Sequence, residues 1–348
     1  MPALLSTRRL GRTELYISEM VFGGGFVGGL LVNATDEEKK EAIARFLNAG
    51  GNWIDTAASY GQGLSEEAVG WILEGLRPTV GREVVRPYVS TKVAAASPST
   101  EGSATIAEQI ETGFRESAAR LRLDSFDLYQ LHSQISNTPG PNALTPAEIL
   151  GPGGVAESFE MLKASGLIRH CGITATGDTD AVLEVINSGR FDTAQCYYNM
   201  LNPSCAWETG EAPEGWSDKD QDFSGIFAAC AAQDMGVLII RPLAAGVLAT
   251  DERHERQSAP QYTDVKTQAM FHGFHSMPIL RGCLWLIACC FSRAKCVTRP
   301  LKTGMLWPLE KPTLPSARST FRQRGCLLSR GPGRRSAGRW VIHASPVC

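Results

Sequence analysis

Four polar residues with the spacing of a proton-transfer site follow short apolar segments in the first half of the chain. Asp55 and Tyr60 lie in "NWIDTAASYG", Lys92 ends "YVSTK", and His132 ends "FDLYQLH". A carboxylate at the end of a buried strand costs on the order of several kcal/mol unless it is paired. Asp55 therefore either caps a turn or has a charged partner elsewhere, and Lys92 is the candidate cation.

These four side chains together predict acid–base chemistry at a carbonyl group. Lys92 would pair with Asp55 and offset the cost of burying the carboxylate. A cation beside a phenol favours its ionised form, so Tyr60 would be a general acid usable near neutral pH. His132 would donate a hydrogen bond to a carbonyl oxygen and orient it. The implied reaction adds a hydride to the carbonyl carbon while Tyr60 protonates the oxygen.

The elements that must position these residues alternate between strands and helices. Such alternation predicts a parallel sheet with helical crossovers. The strands are expected at 17–22, 52–54, 88–91, 127–131, 171–174, 193–197 and 236–241, and the helices at 37–48, 65–76, 105–121, 155–165, 180–187 and 223–233. Seven strand signals favour a (β/α)8 TIM barrel over a doubly wound sheet, and no Gly-x-Gly-x-x-Gly fingerprint follows the first strand.

In such a barrel, polar residues at the carboxyl ends of the strands line one mouth, where the chemistry lies. Neighbouring strands are about 4.8 Å apart, so the ends of the second, third and fourth strands would bring the four residues together. The eighth strand–helix unit is doubtful or missing, because the periodicity stops after about Gly273. An open barrel would leave an unpaired edge.

The charge distribution changes abruptly near residue 270. Residues 271–348 hold 13 of the 34 Lys and Arg, six of the ten Cys and a single acid, Glu310. We therefore expect a barrel domain over 1–270 and a basic, Cys-rich and poorly ordered tail over 271–348. A frameshifted or mis-spliced end is the favoured explanation of this tail, and a divergent natural tail is the alternative.

Composition narrows the class of protein. Of the 348 residues, 43% are hydrophobic and 20% are charged, and the net charge is −2, as in soluble globular proteins. Nothing global suggests a nucleic-acid partner. No secretory signal precedes Arg8 and no apolar run reaches the length of a membrane helix, so a cytoplasmic protein without a membrane partner is expected. His272 and His275 lack supporting ligands, and no metal is expected.

Six consecutive segments resemble the aldo-keto reductase superfamily. They are "NWIDTAASYG", "YVSTK", "FDLYQLH", "GLIRHCGIT", "AQCYYN" and "RPLAAGVL", and the resemblance covers residues 8 to about 250. The Asp-Tyr-Lys-His tetrad of the family falls on Asp55, Tyr60, Lys92 and His132. Some of the segments are similar to the aldose (galactose-type) dehydrogenase branch. The resemblance implies hydride transfer between a cofactor and an aldehyde, a ketone or an aldose. The expected partner is therefore a small-molecule carbonyl or sugar substrate.

The resemblance also implies a nicotinamide cofactor bound without a Rossmann fold. NADP(H) is favoured over NAD(H), although the discriminating segment lies where the pattern is lost. The implied contact residues are Gly24, Gly25, Asp55, Thr174, Gln195, Arg241 and Leu243.

Two of these positions depart from the family. Thr174-Ala175 stands where Ser-Asn is usual, which puts one amide contact in question. Arg241 stands where an aromatic residue often stacks on the nicotinamide, so either the ring is held differently or Arg241 meets a phosphate. The missing eighth unit leaves a second hypothesis open. The chain would then be a catalytically impaired barrel that acts as a binding or regulatory subunit, or an unstable, truncated-type product.

Overall fold

The computed structural model describes residues 4–25, 29–76, 86–98, 102–200, 202–210 and 221–244, and the backbone of one further strand at 341–344. All of these residues belong to one compact unit, formed by Met1–Ser276 with Ala337–Cys348. The predicted boundary at residue 270 and the predicted character of the tail lie outside the described residues, apart from that strand. Within the described ranges, no helix is long and apolar enough to cross a membrane.

Strands and helices alternate along the described chain, as the sequence predicts. The strands are β1 (Thr7–Arg9), β2 (Tyr16–Ser18), β3 (Met20–Gly23), β4 (Trp53–Asp55), β5 (Tyr88–Val93), β6 (Phe126–Leu131), β7 (Gln134–Ile135), β8 (Ala143–Leu144), β9 (Ile168–Thr174), β10 (Thr193–Tyr197), β11 (Gly236–Ile240) and β12 (Val341–Ala344). The helices are α1 (Leu30–Asn33), α2 (Asp36–Asn48), α3 (Leu64–Gly75), α4 (Ile106–Leu121), α5 (Pro146–Leu150), α6 (Val155–Ala164), α7 (Thr179–Asn187) and α8 (Ile226–Ala232).

The central sheet is a closed parallel barrel in the order β10-β11-β12-β3-β4-β5-β6-β9. The seven strands expected from the sequence form a continuous curled sheet. β12 fills the eighth position, where Leu238 of β11 pairs with Val341 and Met20 of β3 pairs with Ile342. The (β/α)8 class is confirmed, and the eighth strand is drawn from the segment that the sequence assigned to the tail.

Alternation of side chains along the strands separates the barrel interior from the helical layer. Val89 and Val93 of β5 pack outward into the main hydrophobic core, whereas Ser90 and Lys92 are buried on the opposite face. In β4, Ile54 packs outward into the same core, and its neighbours Trp53 and Asp55 lie on the opposite face of the strand. A side-chain period of two therefore places polar residues of successive strands at similar heights inside the barrel.

A small hydrophobic cluster lies at the amino ends of the strands. It is formed by Leu10, Leu15, Ile17, Val21, Trp53, Leu128 and Leu238. The strand predicted over 17–22 divides at Glu19: β2 pairs antiparallel with β1, and β3 enters the barrel. The Arg12 amide donates to the carbonyl of Asp234, just before β11, which ties this N-terminal segment to the bottom of the barrel.

Local capping explains where the helices around the site begin. Thr35, Thr105 and Thr145 each form a capping box with a glutamate three residues later. These boxes satisfy backbone amides that a helix N-terminus leaves unpaired, typically for about 1 kcal/mol each. Along α4 the buried residues recur every three or four positions, as expected for a helix with one face on the core: Ile106, Ile110, Phe114, Ser117 and Leu121.

Candidate active site

Strand register brings the predicted tetrad to one end of the barrel. Asp55 at the end of β4 is the backbone partner of Ser90, and Lys92, two residues further along β5, is the partner of Gln130. His132 follows the last residue of β6, and its amide donates to the carbonyl of Val93. All of these positions lie at the carboxyl ends of parallel strands, where the sequence analysis expects the mouth.

Lys92 is the centre of the hydrogen-bond network. Its Nζ donates to Asp55 Oδ2 at 2.6 Å, to the carbonyl oxygen of Thr56 at 2.8 Å and to the hydroxyl of Tyr60 at 3.2 Å. An ammonium group carries three protons, so these three acceptors account for all of them. Burial is the largest single influence on the pKa of Lys92 and lowers it, but the opposing effects of Asp55 and Tyr60 together leave that pKa raised.

The Asp55 carboxylate is 1% exposed and has more partners than the sequence analysis foresaw. Its Oδ1 accepts hydrogen bonds from Ser90 Oγ at 2.6 Å and from Gln195 Nε2 at 2.9 Å, with Gln130 Nε2 further away at 3.4 Å. Ser90 Oγ in turn accepts from the indole of Trp53 at 2.9 Å. The two-residue spacing between Ser90 and Lys92 is the sequence signal that could have identified the serine.

A tight turn holds Tyr60 over the ion pair. The Tyr60 amide donates to the carbonyl of Ala57, and its own carbonyl accepts from the Ser65 amide at the start of α3. The Lys92 ammonium lies 4.8 Å from the centre of the phenol ring. The Lys92 proton is directed at the phenol oxygen, so the hydroxyl's own proton is left for another acceptor.

His132 lies beside Tyr60, with the two ring centres 5.7 Å apart and the rings nearly perpendicular. Burial, reinforced by the nearby Lys92 charge and opposed by Asp55, lowers the pKa of His132 to about 3. The imidazole is therefore neutral at neutral pH. Its Nδ1 is 3.3 Å from the hydroxyl of Ser59, a contact that the sequence analysis did not anticipate.

The two glycines assigned to the cofactor differ in their surroundings. The Gly24 amide donates to the carbonyl of Asp55, and a Cβ at Gly24 would lie 2.5 Å from Ser65 Oγ. Among the described residues, a Cβ at Gly25 would meet only the ring of Tyr60, at 3.9 Å. Gly24 is thus required by close packing, whereas Gly25 lies at ordinary contact distance from the phenol ring.

Thr174 and Gln195 are neighbours across β9 and β10, where they are backbone partners. Both side chains are buried, and Thr174 Oγ1 donates to the carbonyl of Leu131. The Gln195 side-chain amide, which the resemblance assigns to the cofactor, donates to Asp55 in this structure. Gln195 is therefore part of the same polar network as the tetrad.

Arg241 follows β11 and lies over the ring of Tyr197, 5.4 Å from the ring centre. Its backbone has a φ of 54°, and its carbonyl accepts from Asn199. Its Nη1 is buried and has no hydrogen-bond partner within the described residues. The predicted contact Leu243 is half-buried two residues later.

Comparison with known proteins identifies relatives. The model of the "Aldo/keto reductase family" matches residues 19–323. Aldo-keto reductase YhdN from Bacillus subtilis is 31% identical over 47% of this chain and 44% of that protein. L-galactose dehydrogenase from Arabidopsis thaliana is 23% identical over 77% of this chain and 75% of its own length. The chain thus spans less than half the length of the first of these relatives.

An aldo-keto reductase from Klebsiella pneumoniae, solved in complex with NADPH, shares the fold. The likeness has a TM-score of 0.50 and 21% identity, and it covers 78% of this chain and 77% of that one. The family match covers most of the chain and continues beyond residue 270, into the segment that the sequence analysis assigned to an atypical tail.

Proposed function

Because the chain belongs to the aldo/keto reductase family, we propose that it is a NAD(P)-dependent oxidoreductase with Tyr60 as general acid. It would transfer a hydride between a nicotinamide cofactor and an aldehyde, a ketone or an aldose. The observation that carries this proposal is the three-way hydrogen bonding of Lys92 to Asp55, Thr56 and Tyr60.

Proton donation by Tyr60 follows from how Lys92 is held. The Asp55 carboxylate fixes the ammonium, which points one proton at the phenol oxygen. When Tyr60 gives its proton to a substrate oxygen, the ammonium stabilises the phenolate that remains. In the oxidation direction, the same phenolate would accept the proton of an alcohol.

His132 fits an orienting role rather than that of the acid. With a pKa of about 3, the His132 imidazole is not an imidazolium at neutral pH, so it has no acidic proton to transfer to the substrate. A neutral ring can still donate one hydrogen bond to a carbonyl oxygen. Its place beside the Tyr60 ring supports a substrate oxygen held between the two side chains.

The donors around the mouth fit a nicotinamide cofactor. Within the described residues the buried Nη1 of Arg241 has no hydrogen-bond partner, which suits an anionic or carbonyl oxygen, and Gly25 lies beside the Tyr60 ring. Thr174 and Gln195 supply further polar groups for a carboxamide. When bound, the cofactor would supply the hydride. The NADPH in the Klebsiella pneumoniae structure supports NADP(H) as the cofactor of this chain.

Two classes of carbonyl substrate are proposed, aldoses on one side and aldehydes or ketones on the other. The similarity to L-galactose dehydrogenase supports an aldose as one substrate to test. The similarity to YhdN supports an aldehyde or ketone equally well. Both classes present the same carbonyl group to Tyr60 and His132.

The direct test is to incubate the purified chain with NADPH or NADH and a panel of aldehydes, ketones and aldoses. Loss of the nicotinamide absorbance with at least one carbonyl compound is expected. Saturable NADPH binding without reduction of any of them, and without reduction of NADP⁺ or NAD⁺ by the aldoses, would refute the enzymatic proposal and favour a binding subunit. Failure to melt cooperatively would favour the unstable product.

A further inference from the structure

Ser59, the residue before Tyr60, contacts the imidazole of His132. Ser59 Oγ lies 3.3 Å from His132 Nδ1, and Ser59 is exposed at the barrel mouth. We propose that Ser59 donates its hydroxyl proton to Nδ1 and thereby holds His132 in the tautomer with hydrogen on Nε2. This inference rests on the proposed function, because it names what prepares His132 to bind a carbonyl oxygen.

A neutral imidazole carries one N–H, so only one of its two nitrogens can donate. The nitrogen that accepts a hydrogen bond fixes the hydrogen on the other. With Ser59 as donor, Nδ1 is the acceptor, and Nε2–H is left to point at a ligand. In the reverse arrangement Nε2 would be a bare acceptor, which repels a carbonyl oxygen instead of binding it.

An Nε2 without hydrogen would need a nearby hydrogen-bond donor, and the neighbouring groups that the structure describes do not supply one. All three protons of the Lys92 ammonium are taken by Asp55, Thr56 and Tyr60. Tyr60 contacts His132 through its ring, and within the described residues its hydroxyl makes no hydrogen bond to the imidazole. Ser59 is thus the hydrogen-bond partner of the His132 imidazole in the described part of the chain.

Ser59 would act as a positioning residue and not as a catalytic one. The turn that carries it is fixed by the hydrogen bond from the Tyr60 amide to Ala57. One turn therefore places both the acid and the group that sets the orienting histidine. A threonine at this position would keep the hydroxyl, whereas an alanine would leave Nδ1 to water, which can either donate or accept.

The test is 15N NMR of the imidazole nitrogens in the full-length chain at neutral pH, with His132 assigned by its loss in His132→Gln. Protonated and bare ring nitrogens resonate in separate regions. We expect hydrogen on Nε2 in the wild type and in Ser59→Thr, and a mixture of tautomers in Ser59→Ala. Ser165→Ala removes an exposed hydroxyl that donates to Met161, and it should leave the His132 signals unchanged.

Kinetics give a second readout. A single hydrogen bond accounts for about tenfold at most, so Ser59→Ala should lower kcat/KM by roughly three- to tenfold, with recovery in Ser59→Thr. Hydrogen on Nδ1 in the wild type would overturn the proposal, as would an unchanged tautomer in Ser59→Ala. The NMR result does not depend on turnover, so it separates failure of this inference from failure of the proposed function.

Discussion

Replacing Lys92 by methionine should destabilise the fold strongly, because it leaves a buried carboxylate without its cation. Lys92 is fully buried, Asp55 is 1% exposed, and their charged atoms are 2.6 Å apart. Removal of one partner of a buried pair costs about 3–5 kcal/mol. Ser90 and Gln195 still donate to Asp55 Oδ1 in the variant. We therefore expect a loss near the lower end, about 3 kcal/mol in the free energy of unfolding.

Urea denaturation followed by circular dichroism measures this loss, and two further variants sharpen it. In Lys92→Met/Asp55→Asn the charge is gone, and the amide oxygen can still accept from Ser90 and Gln195. The double variant should recover about 2 kcal/mol relative to Lys92→Met. Lys39→Met is the matched control, because Lys39 pairs with the largely exposed Asp36. It should cost less than about 1 kcal/mol.

Two results would refute this reasoning. One is a Lys92→Met chain as stable as Lys39→Met. The other is a double variant no more stable than Lys92→Met, because the lost stability would then come from packing or from other hydrogen bonds of Lys92, and not from an unpaired Asp55.

Three further predictions follow from the geometry of the mouth. Ser90→Ala leaves the buried indole N–H of Trp53, in the neighbouring strand β4, without its acceptor, and urea denaturation should show a loss of about 1–3 kcal/mol. Gly24→Ala places a methyl group 2.5 Å from a buried hydroxyl and should lower the thermal midpoint, whereas Gly25→Ala should keep it and weaken NADPH binding in calorimetry; equal midpoints would contradict the packing argument. His132 has a folded pKa of about 3, below its unfolded value near 6.5, so the unfolded chain binds the extra proton and stability falls as the pH drops through this window. His132→Gln should show a shallower acid loss than the wild type by at most about 5 kcal/mol, and identical pH curves would mean that the histidine is not held neutral.

Much of the barrel could be predicted from the sequence because its signals are local. Expected strands of three to six mainly apolar residues alternate with helices, several of which are bounded by Thr caps or glycines, and seven of the eight barrel strands were placed this way. The eighth was not, because Val341–Ala344 is a short segment about 100 residues beyond β11. Pairing over such a separation leaves no periodic signal in the sequence.

The candidate site was predictable for residues at strand ends and less so for those deeper in the barrel. Asp55, Lys92 and His132 stand out because charged or titratable groups follow apolar runs. Ser90 was missed, although its two-residue offset from Lys92 places it on the same face. Ser59 is an ordinary loop serine in the sequence, and only the turn that carries Tyr60 brings it to the imidazole.

Arg241 and Gln195 contact other protein groups in the structure, which the family pattern does not predict. The pattern assigns both residues to the cofactor. In the structure, the Gln195 side-chain amide donates to Asp55, and the Arg241 guanidinium lies over the ring of Tyr197. Their cofactor contacts remain predictions. The assignments of Gly24, Gly25, Thr174 and Leu243 to the cofactor have the same status.

Kinetic comparison of Tyr60→Phe with the wild type tests the central claim most directly. Loss of a general acid typically costs about 10²–10⁴-fold, so kcat should fall by at least about 100-fold with the best carbonyl substrate. NADPH binding, measured by tryptophan fluorescence, should stay nearly unchanged. Tyr16→Phe removes the hydroxyl of an exposed tyrosine and should retain full turnover. Turnover by Tyr60→Phe close to that of Tyr16→Phe would contradict the assignment of Tyr60 as the acid.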